Sequence, residues 1–143
     1  MVLFDEAPTE QEATQASFSY VVSMAAVAVG LPLPIINLVA SVIFALGSRR
    51  AAPFARWHAT QALLSQLLLF IVNASLMAWT VRCYLADADF PTLYFVGAGA
   101  VVLLNAAEFI GTIQAAIRTR RGEHVRFPLI ARITDTLLEP SAP

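Results

Sequence analysis

ALLSQLLLFIVNASLMAWTV, residues 62–81, is the stretch that decides the fold, because it contains no charged residue. A helix rises about 1.5 Å per residue, so twenty residues match the roughly 30 Å hydrocarbon core of a bilayer. The stretch therefore predicts a transmembrane helix, which its flanking sequence extends to about 54–81. Trp57 and Trp79 lie near the two ends of this helix, where interfacial aromatic residues are expected.

The composition of the whole chain agrees with this interpretation. Apolar residues make up 58% of the 143 residues and charged residues only 13%, whereas soluble domains average roughly 45–50% and about 25%. A small soluble domain cannot bury so much apolar surface. The net charge of −1 gives no electrostatic case for nucleic acid, and the single cysteine, Cys83, excludes an intramolecular disulfide. We therefore expect an integral membrane protein whose first partner is the lipid bilayer.

Two further apolar stretches flank the central one. Residues 91–117 contain Glu108 as their only charge and predict another span. Residues 17–47 would form a single helix of about 46 Å, too long for one upright span and too short for two. Pro32 and Pro34 should kink or break this helix. We favour one kinked or broken span, which gives three spans in an all-α bundle; a re-entrant hairpin of two half-helices would give four membrane segments.

Together these stretches form a predicted transmembrane domain of residues 17–127, and the two ends of the chain differ from it. Residues 1–16 form an acidic, polar arm, unlike the basic start of a cleavable signal peptide. Residues 128–143 are too short to span a membrane, and their first part predicts a short amphipathic helix lying in the interface. The apolar residues at helical spacing in this part are Leu129, Ile130, Ile133, Leu137 and Leu138.

Arginines are concentrated at residues 49–56 and 118–126, whereas the remaining loop has Arg82 beside two aspartates. Short loops rich in lysine and arginine remain in the cytoplasm. We therefore predict a multi-pass protein of the bacterial cytoplasmic (inner) membrane, with its basic loops and C-terminus in the cytoplasm. Three spans place the N-terminus outside, and a hairpin places it inside.

Polar residues within the predicted spans are the candidates for function. His58, Gln61, Ser65, Gln66 and Asn73 fall within an arc of roughly 140° on one helix. The next predicted span has a polar face of its own, and the first apolar stretch contributes one candidate. These further candidates are Asn105, Glu108, Thr112 and Asn37.

Two interpretations of these residues remain open. Polar side chains often join transmembrane helices, each hydrogen bond contributing about 0.6 kcal/mol on average. Glu108 differs, because a carboxylate in a span costs about 2.5 kcal/mol or more and must be paired, protonated or next to a cavity. It is either a proton site, cation site or partner anchor, or a packing residue bonded to Asn73, Asn37 or His58.

Two short motifs flank the predicted spans: PFARWHATQA at residues 53–62 and RGEHVRFP at residues 121–128. With the proline-interrupted first stretch, they resemble small bacterial membrane proteins of unknown function related to the chloroplast import component Tic-twenty. The resemblance implies a small helical bundle in the plasma membrane. We hypothesise that His58 and Gln61 hydrogen-bond the turn at residues 122–128. The residues of this cytoplasmic-face motif are His58, Gln61, Arg121, Gly122, Glu123, Arg126 and Pro128.

Catalysis has no support in the sequence. It contains no nucleophile–base pair, no metal-ligand spacing and no glycine-rich phosphate loop, so we expect neither enzymatic activity nor a cofactor or metal. The first hypothesis is a scaffold or accessory subunit that packs against a membrane-protein partner or further copies of itself. The alternative is a small transport, channel or translocation component with a polar path near Asn105 and Glu108.

Overall fold

The computed structural model describes residues 7–30 and 34–138. All regular structure in these ranges is helical, which confirms the predicted all-α class. A short 3₁₀ turn, Ser48–Arg50, follows the second helix. The five α-helices are α1 (Glu10–Gly30), α2 (Pro34–Gly47), α3 (Pro53–Leu85), α4 (Thr92–Arg120) and α5 (Ile130–Leu138).

Helices α3 and α4 are long and apolar enough to cross a membrane, and they are the two such helices within the described ranges. They contain 33 and 29 residues and cover almost all of the spans predicted at 54–81 and 91–117. Proline marks both starts: Pro53 is the first residue of α3 and Pro91 immediately precedes α4. Many of their large apolar side chains are exposed, as expected of a surface that meets lipid. Ile71, Met77, Val102 and Leu103 are examples.

Helices α1 and α2 form an antiparallel hairpin. The rings of Phe18 and Phe44 have centroids 5.9 Å apart, and the hydroxyl oxygens of Ser23 and Ser41 are 3.3 Å apart. A single helix over residues 17–47 would keep these residues far apart, so the favoured single kinked span is wrong and a third span is not confirmed. Pro34 begins α2, whereas Pro32 lies outside the described residues. The 14 residues of α2 cover about 21 Å, less than the roughly 30 Å core.

The start of α1 lies at the same end of the bundle as the basic turn after α4. The hydroxyl of Ser17 donates to the carbonyl oxygen of Ala116 at 2.7 Å. Gly122 has a φ of +79°, and a Cβ on it would lie 3.3 Å from Cγ of Pro8. The start of α1 therefore shares an end with the arginine-rich turn, which is the arrangement expected of the hairpin alternative and not of three spans.

The predicted polar arm at residues 1–16 is partly helical, because α1 begins at Glu10. Thr9 and Glu12 form a reciprocal capping box: the Thr9 amide donates to the Glu12 carboxylate at 2.8 Å, and the Glu12 amide donates to the Thr9 hydroxyl at 3.3 Å. These bonds satisfy amides that a helix start leaves without intrahelical partners. Residues 1–6 lie outside the described part of the chain.

A cluster of buried residues lies at the basic end, where α1, α3 and α4 meet. Tyr20 is buried among Ala62, Ala115 and Ala116, with Phe127 packed against them. Alanine allows helix backbones to approach closely, which is how membrane helices gain packing energy without a hydrophobic driving force between them. This region positions the candidate site.

Candidate functional site

Gln61 connects three parts of the fold. Its amide nitrogen donates to the Tyr20 hydroxyl at 2.7 Å and to the Val125 carbonyl at 3.1 Å. Its amide oxygen accepts from the Phe127 backbone N–H at 2.9 Å. The side chain is fully buried. The predicted hydrogen bonds between Gln61 and the turn at residues 122–128 are therefore present, and one amide joins α3 to both α1 and the turn after α4.

His58 lies one turn before Gln61 on α3 and is also fully buried. Its Nδ1 is 2.8 Å from the Tyr20 hydroxyl, and its Nε2 is 3.2 Å from Nδ1 of His124. The hypothesis that His58 bonds the turn at residues 122–128 is confirmed through His124. Tyr20 was not predicted as a member of this site, although it is the one ionisable residue in the apolar stretch of residues 17–47.

Trp57 and Asp135 attach α5 to α3. The Trp57 indole N–H donates to one carboxylate oxygen of Asp135 at 2.9 Å, and Arg126 forms an ion pair with the other oxygen. Trp57 lies near the start of α3, as predicted, but it is 1% exposed, so its ring packs inside the protein and does not face the surroundings. Burial raises the pKa of Asp135, but the hydrogen bonds from Arg126 and Trp57 outweigh this effect and hold the pKa below its usual range.

The other motif residues shape the turn between α4 and α5. Gly122 supplies the left-handed conformation that ends α4. Glu123 pairs with Arg118 at 3.5 Å, but both side chains are largely exposed, so this pair contributes little stability. Burial, followed by the charge of Arg126, lowers the pKa of His124, and Asp135 acts in the opposite direction. Arg121 and Pro128 are exposed at the two ends of the turn.

Within the two long helices, Glu108 is surrounded by hydrogen-bond donors. One of its carboxylate oxygens accepts from the Ser65 hydroxyl at 3.0 Å, the Gln66 amide at 2.8 Å and the Thr112 hydroxyl at 3.0 Å. The predicted partners Asn73 and His58 are wrong. The signal for the correct partners was present, because Ser65 and Gln66 lie on the polar face of the predicted helix.

Asn73 and Asn105 form a second contact between α3 and α4. Each amide nitrogen donates to the oxygen of the other side chain at 3.1 Å. Each also donates to the carbonyl one turn earlier in its own helix. The polar faces predicted on these two helices therefore meet each other. The side chain of Asn37, the remaining intramembrane candidate, lies outside the described residues.

A cavity of about 270 Å³ lies between α3, α4 and the segment before α5. Apart from Ser65 and Glu108, the residues around it are apolar or glycine. They include Leu68, Leu69, Leu104, Ala107, Gly111 and Phe127. In the described part of the chain, no three histidine, cysteine, aspartate or glutamate side chains lie close enough together to hold a metal ion.

Comparison with known proteins corrects the family predicted from the sequence. Residues 11–134 match the MamF/MmsF family, described as the magnetosome magnetite crystal formation protein family. No curated protein and no solved structure matches the chain. The predicted relationship to Tic-twenty is therefore wrong. It depended on motifs that contain His58 and Gln61. These two residues join a helix to a turn, which is a structural role and does not specify a function. The match covers most of the chain, and the protein belongs to the magnetosome magnetite crystal formation family.

Proposed function

We propose that this protein is a non-enzymatic scaffold of the magnetosome membrane that takes part in magnetite crystal formation. The family match supports the location and the process. The observation that supports a scaffold is that polar side chains within α3 and α4 are used to hold these helices together. On this proposal, the protein acts through the surfaces that the bundle presents to partner proteins or further copies of itself.

Glu108 supports the scaffold over a transport pathway. A carboxylate in a span costs about 2.5 kcal/mol or more unless it is compensated. Ser65 and Gln66 from α3 and Thr112 from α4 direct three donors at one of its oxygens. Because the adjoining cavity has an almost entirely apolar lining, it suits a hydrocarbon chain better than an ion. We assign Glu108 to the connection between α3 and α4.

We further propose that the basic end of the bundle faces the cytoplasm. Exposed arginines occur in the turn before α3 and at the end of α4, and such charges favour the cytoplasmic side. The loop between α3 and α4 then faces the magnetosome interior and presents Asp87 and Asp89, both of which are exposed. The start of α1 then lies on the cytoplasmic side with the basic turns, because Pro8 packs beside Gly122.

The scaffold proposal is tested by two substitutions at one position. In a magnetite-forming bacterium that lacks the gene, Glu108→Gln should restore normal crystal size, because the new amide oxygen can still accept hydrogen bonds. Glu108→Leu should lower the amount of protein in the membrane and leave crystals abnormal. Gln114→Leu, on an exposed position of the same helix, is the matched control and should behave like the wild type. Electron microscopy measures the crystals, and immunoblotting measures the protein.

A transport role predicts a different result. If Glu108 carries protons or cations, Glu108→Gln would abolish crystal formation at a normal protein level and would change ion flux in proteoliposomes. Either result would overturn the scaffold proposal. Crosslinking followed by mass spectrometry of wild-type membranes should identify a protein partner or a second copy in contact with α3 or α4.

A further inference from the structure

Helix α5 buries two of its polar residues and exposes most of the large apolar residues along it. Thr134 and Asp135 are buried against α3, together with Ala131. Leu129, directly before the helix, is 78% exposed, and Ile133 and Leu137 are 52% and 60% exposed. A helix on the surface of a soluble protein shows the opposite arrangement. The apolar part of the exposed side of α5 is therefore a candidate surface for contact with lipid or protein.

The exposed side of α5 has two distinct stripes. Leu129, Ile133 and Leu137 are spaced by four residues, so they lie along one line of the helix surface. Arg132 and Thr136 are also exposed and form a second line about 100° from Ile133 and Leu137. The helix thus has one side on the protein, one apolar side and one polar side, as expected for a helix at a boundary between lipid and water.

Buried contacts fix this orientation. The Asp135 carboxylate accepts from the Trp57 indole and pairs with Arg126. Rotating α5 to bury Ile133 and Leu137 would break both contacts and leave polar groups without partners, which is costly in a buried setting. The apolar stripe therefore stays on the outside of the bundle.

The stripe also lies where a membrane surface is expected. Asp135 of α5 contacts Trp57, which lies in the first turns of α3. The apolar cavity beside Leu129 and Ile130 continues along α3 and α4. This continuity places α5 beside the lipid-facing surface of the two long helices. The same end of the bundle has exposed arginines, which complement anionic lipid headgroups. They include Arg118, Arg120, Arg121 and Arg132.

We propose that α5 is a membrane-surface helix that inserts Leu129, Ile133 and Leu137 into the acyl boundary of the bilayer, with the nearby arginines on anionic phospholipid headgroups. This docking does not depend on the scaffold role. This docking sets how deeply the basic end of the protein lies in the membrane. The Trp57–Asp135 contact holds α3 in a fixed position relative to the docked helix.

The test compares two neighbouring positions on α5 in the full-length protein. In a Cys83→Ser background, Leu137→Cys and Thr136→Cys are labelled with bimane and reconstituted into nanodiscs of phosphatidylcholine alone or with phosphatidylglycerol. Lipid-attached nitroxide near the headgroup should quench the label at position 137 at least twofold more than the label at 136, and aqueous iodide should show the reverse order. Phosphatidylglycerol should increase the lipid quenching at 137.

Three results would overturn the proposal. Equal lipid quenching at positions 136 and 137 would mean that the apolar stripe does not enter the bilayer. Protection of position 137 from both quenchers, with disulfide formation between copies of the unlabelled Leu137→Cys variant, would mean that a second copy covers the stripe. Equal quenching at 137 in both lipid mixtures would remove the role of the anionic headgroups. Ile133→Cys, on the same stripe, replaces Leu137→Cys if that variant does not fold.

Discussion

Replacing Gln61 by leucine should destabilise the protein more than any loss of apolar contact would suggest. The leucine has about the same size but removes every hydrogen bond of the buried amide. The Val125 carbonyl and the Phe127 N–H lose the partner that they have in Gln61, and the Tyr20 hydroxyl loses one donor. The connections from α3 to α1 and to the turn after α4 are weakened together.

The size of the change in the free energy of unfolding follows from the polar groups that lose Gln61 as their partner. A buried polar group without its partner costs about 1–3 kcal/mol. Two backbone groups are affected, and both belong to residues that are only half-buried, so each should lie toward the lower end of this range. The Tyr20 hydroxyl keeps its contact with His58 and adds little. We expect the free energy of unfolding to fall by about 2–4 kcal/mol.

The assay is unfolding by SDS of the purified protein in maltoside micelles, followed by tryptophan fluorescence, because Trp57 lies close to the substituted position. Gln114→Leu is the control for exchanging an amide for leucine at an exposed position, and it should change the free energy by no more than about 0.5 kcal/mol. If Gln61→Leu matched the control, the role assigned to Gln61 would be refuted.

Four further predictions use the same unfolding measurement. His58→Ala should lower the free energy of unfolding by about 1–3 kcal/mol; an unchanged value would contradict its bonding role. Asn73→Ala and Asn105→Ala should show a coupling energy of about 0.6–1.7 kcal/mol in a double-mutant cycle, whereas additive effects would argue against the pair. Because the pKa of His124 is lowered in the folded state, the unfolded chain binds its proton more readily, and stability should fall from about pH 7 to 5; His124→Gln should reduce this slope. The lowered pKa of Asp135 gives stability that is present above about pH 5 and lost as the pH falls below about 4, and Asp135→Asn should remove this loss.

The two long helices could be predicted from the sequence because their signal is local. A charge-free stretch of twenty residues between polar segments permits few structures other than a span. The contact between Gln61 and the turn was also predictable, since both motifs were expected at the same side of the membrane. The inward position of Trp57 was not, because it depends on Asp135, a residue 78 positions later that periodicity alone places on a polar face.

The partners of Glu108 show a second limit of prediction from the sequence. The polar arc on α3 contained the correct donors, Ser65 and Gln66, but also Asn73 and His58. Which of them meets Glu108 depends on the axial position of α4 relative to α3, and helical periodicity does not contain that information. The reciprocal bonds between Asn73 and Asn105 fix this position, and Glu108, three residues after Asn105, then lies beside Ser65 and Gln66.

The α1–α2 hairpin was the least predictable element, because length and prolines allow both a kinked span and a hairpin. Its consequence is that α1 supports only part of the length of α3 and α4. Measured from Ser17, which contacts Ala116, α1 rises only about 20 Å to Gly30, whereas α4 continues about 36 Å from Ala116 back to Thr92. The hairpin therefore ends near the level of Asn105. At that level the Asn73–Asn105 pair joins α3 to α4, and beyond it the hydroxyls of Thr80 and Tyr94 are 2.8 Å apart. The bonds from Ser65 and Gln66 to Glu108 lie alongside the hairpin, so polar contacts join α3 and α4 both beside α1 and past its end.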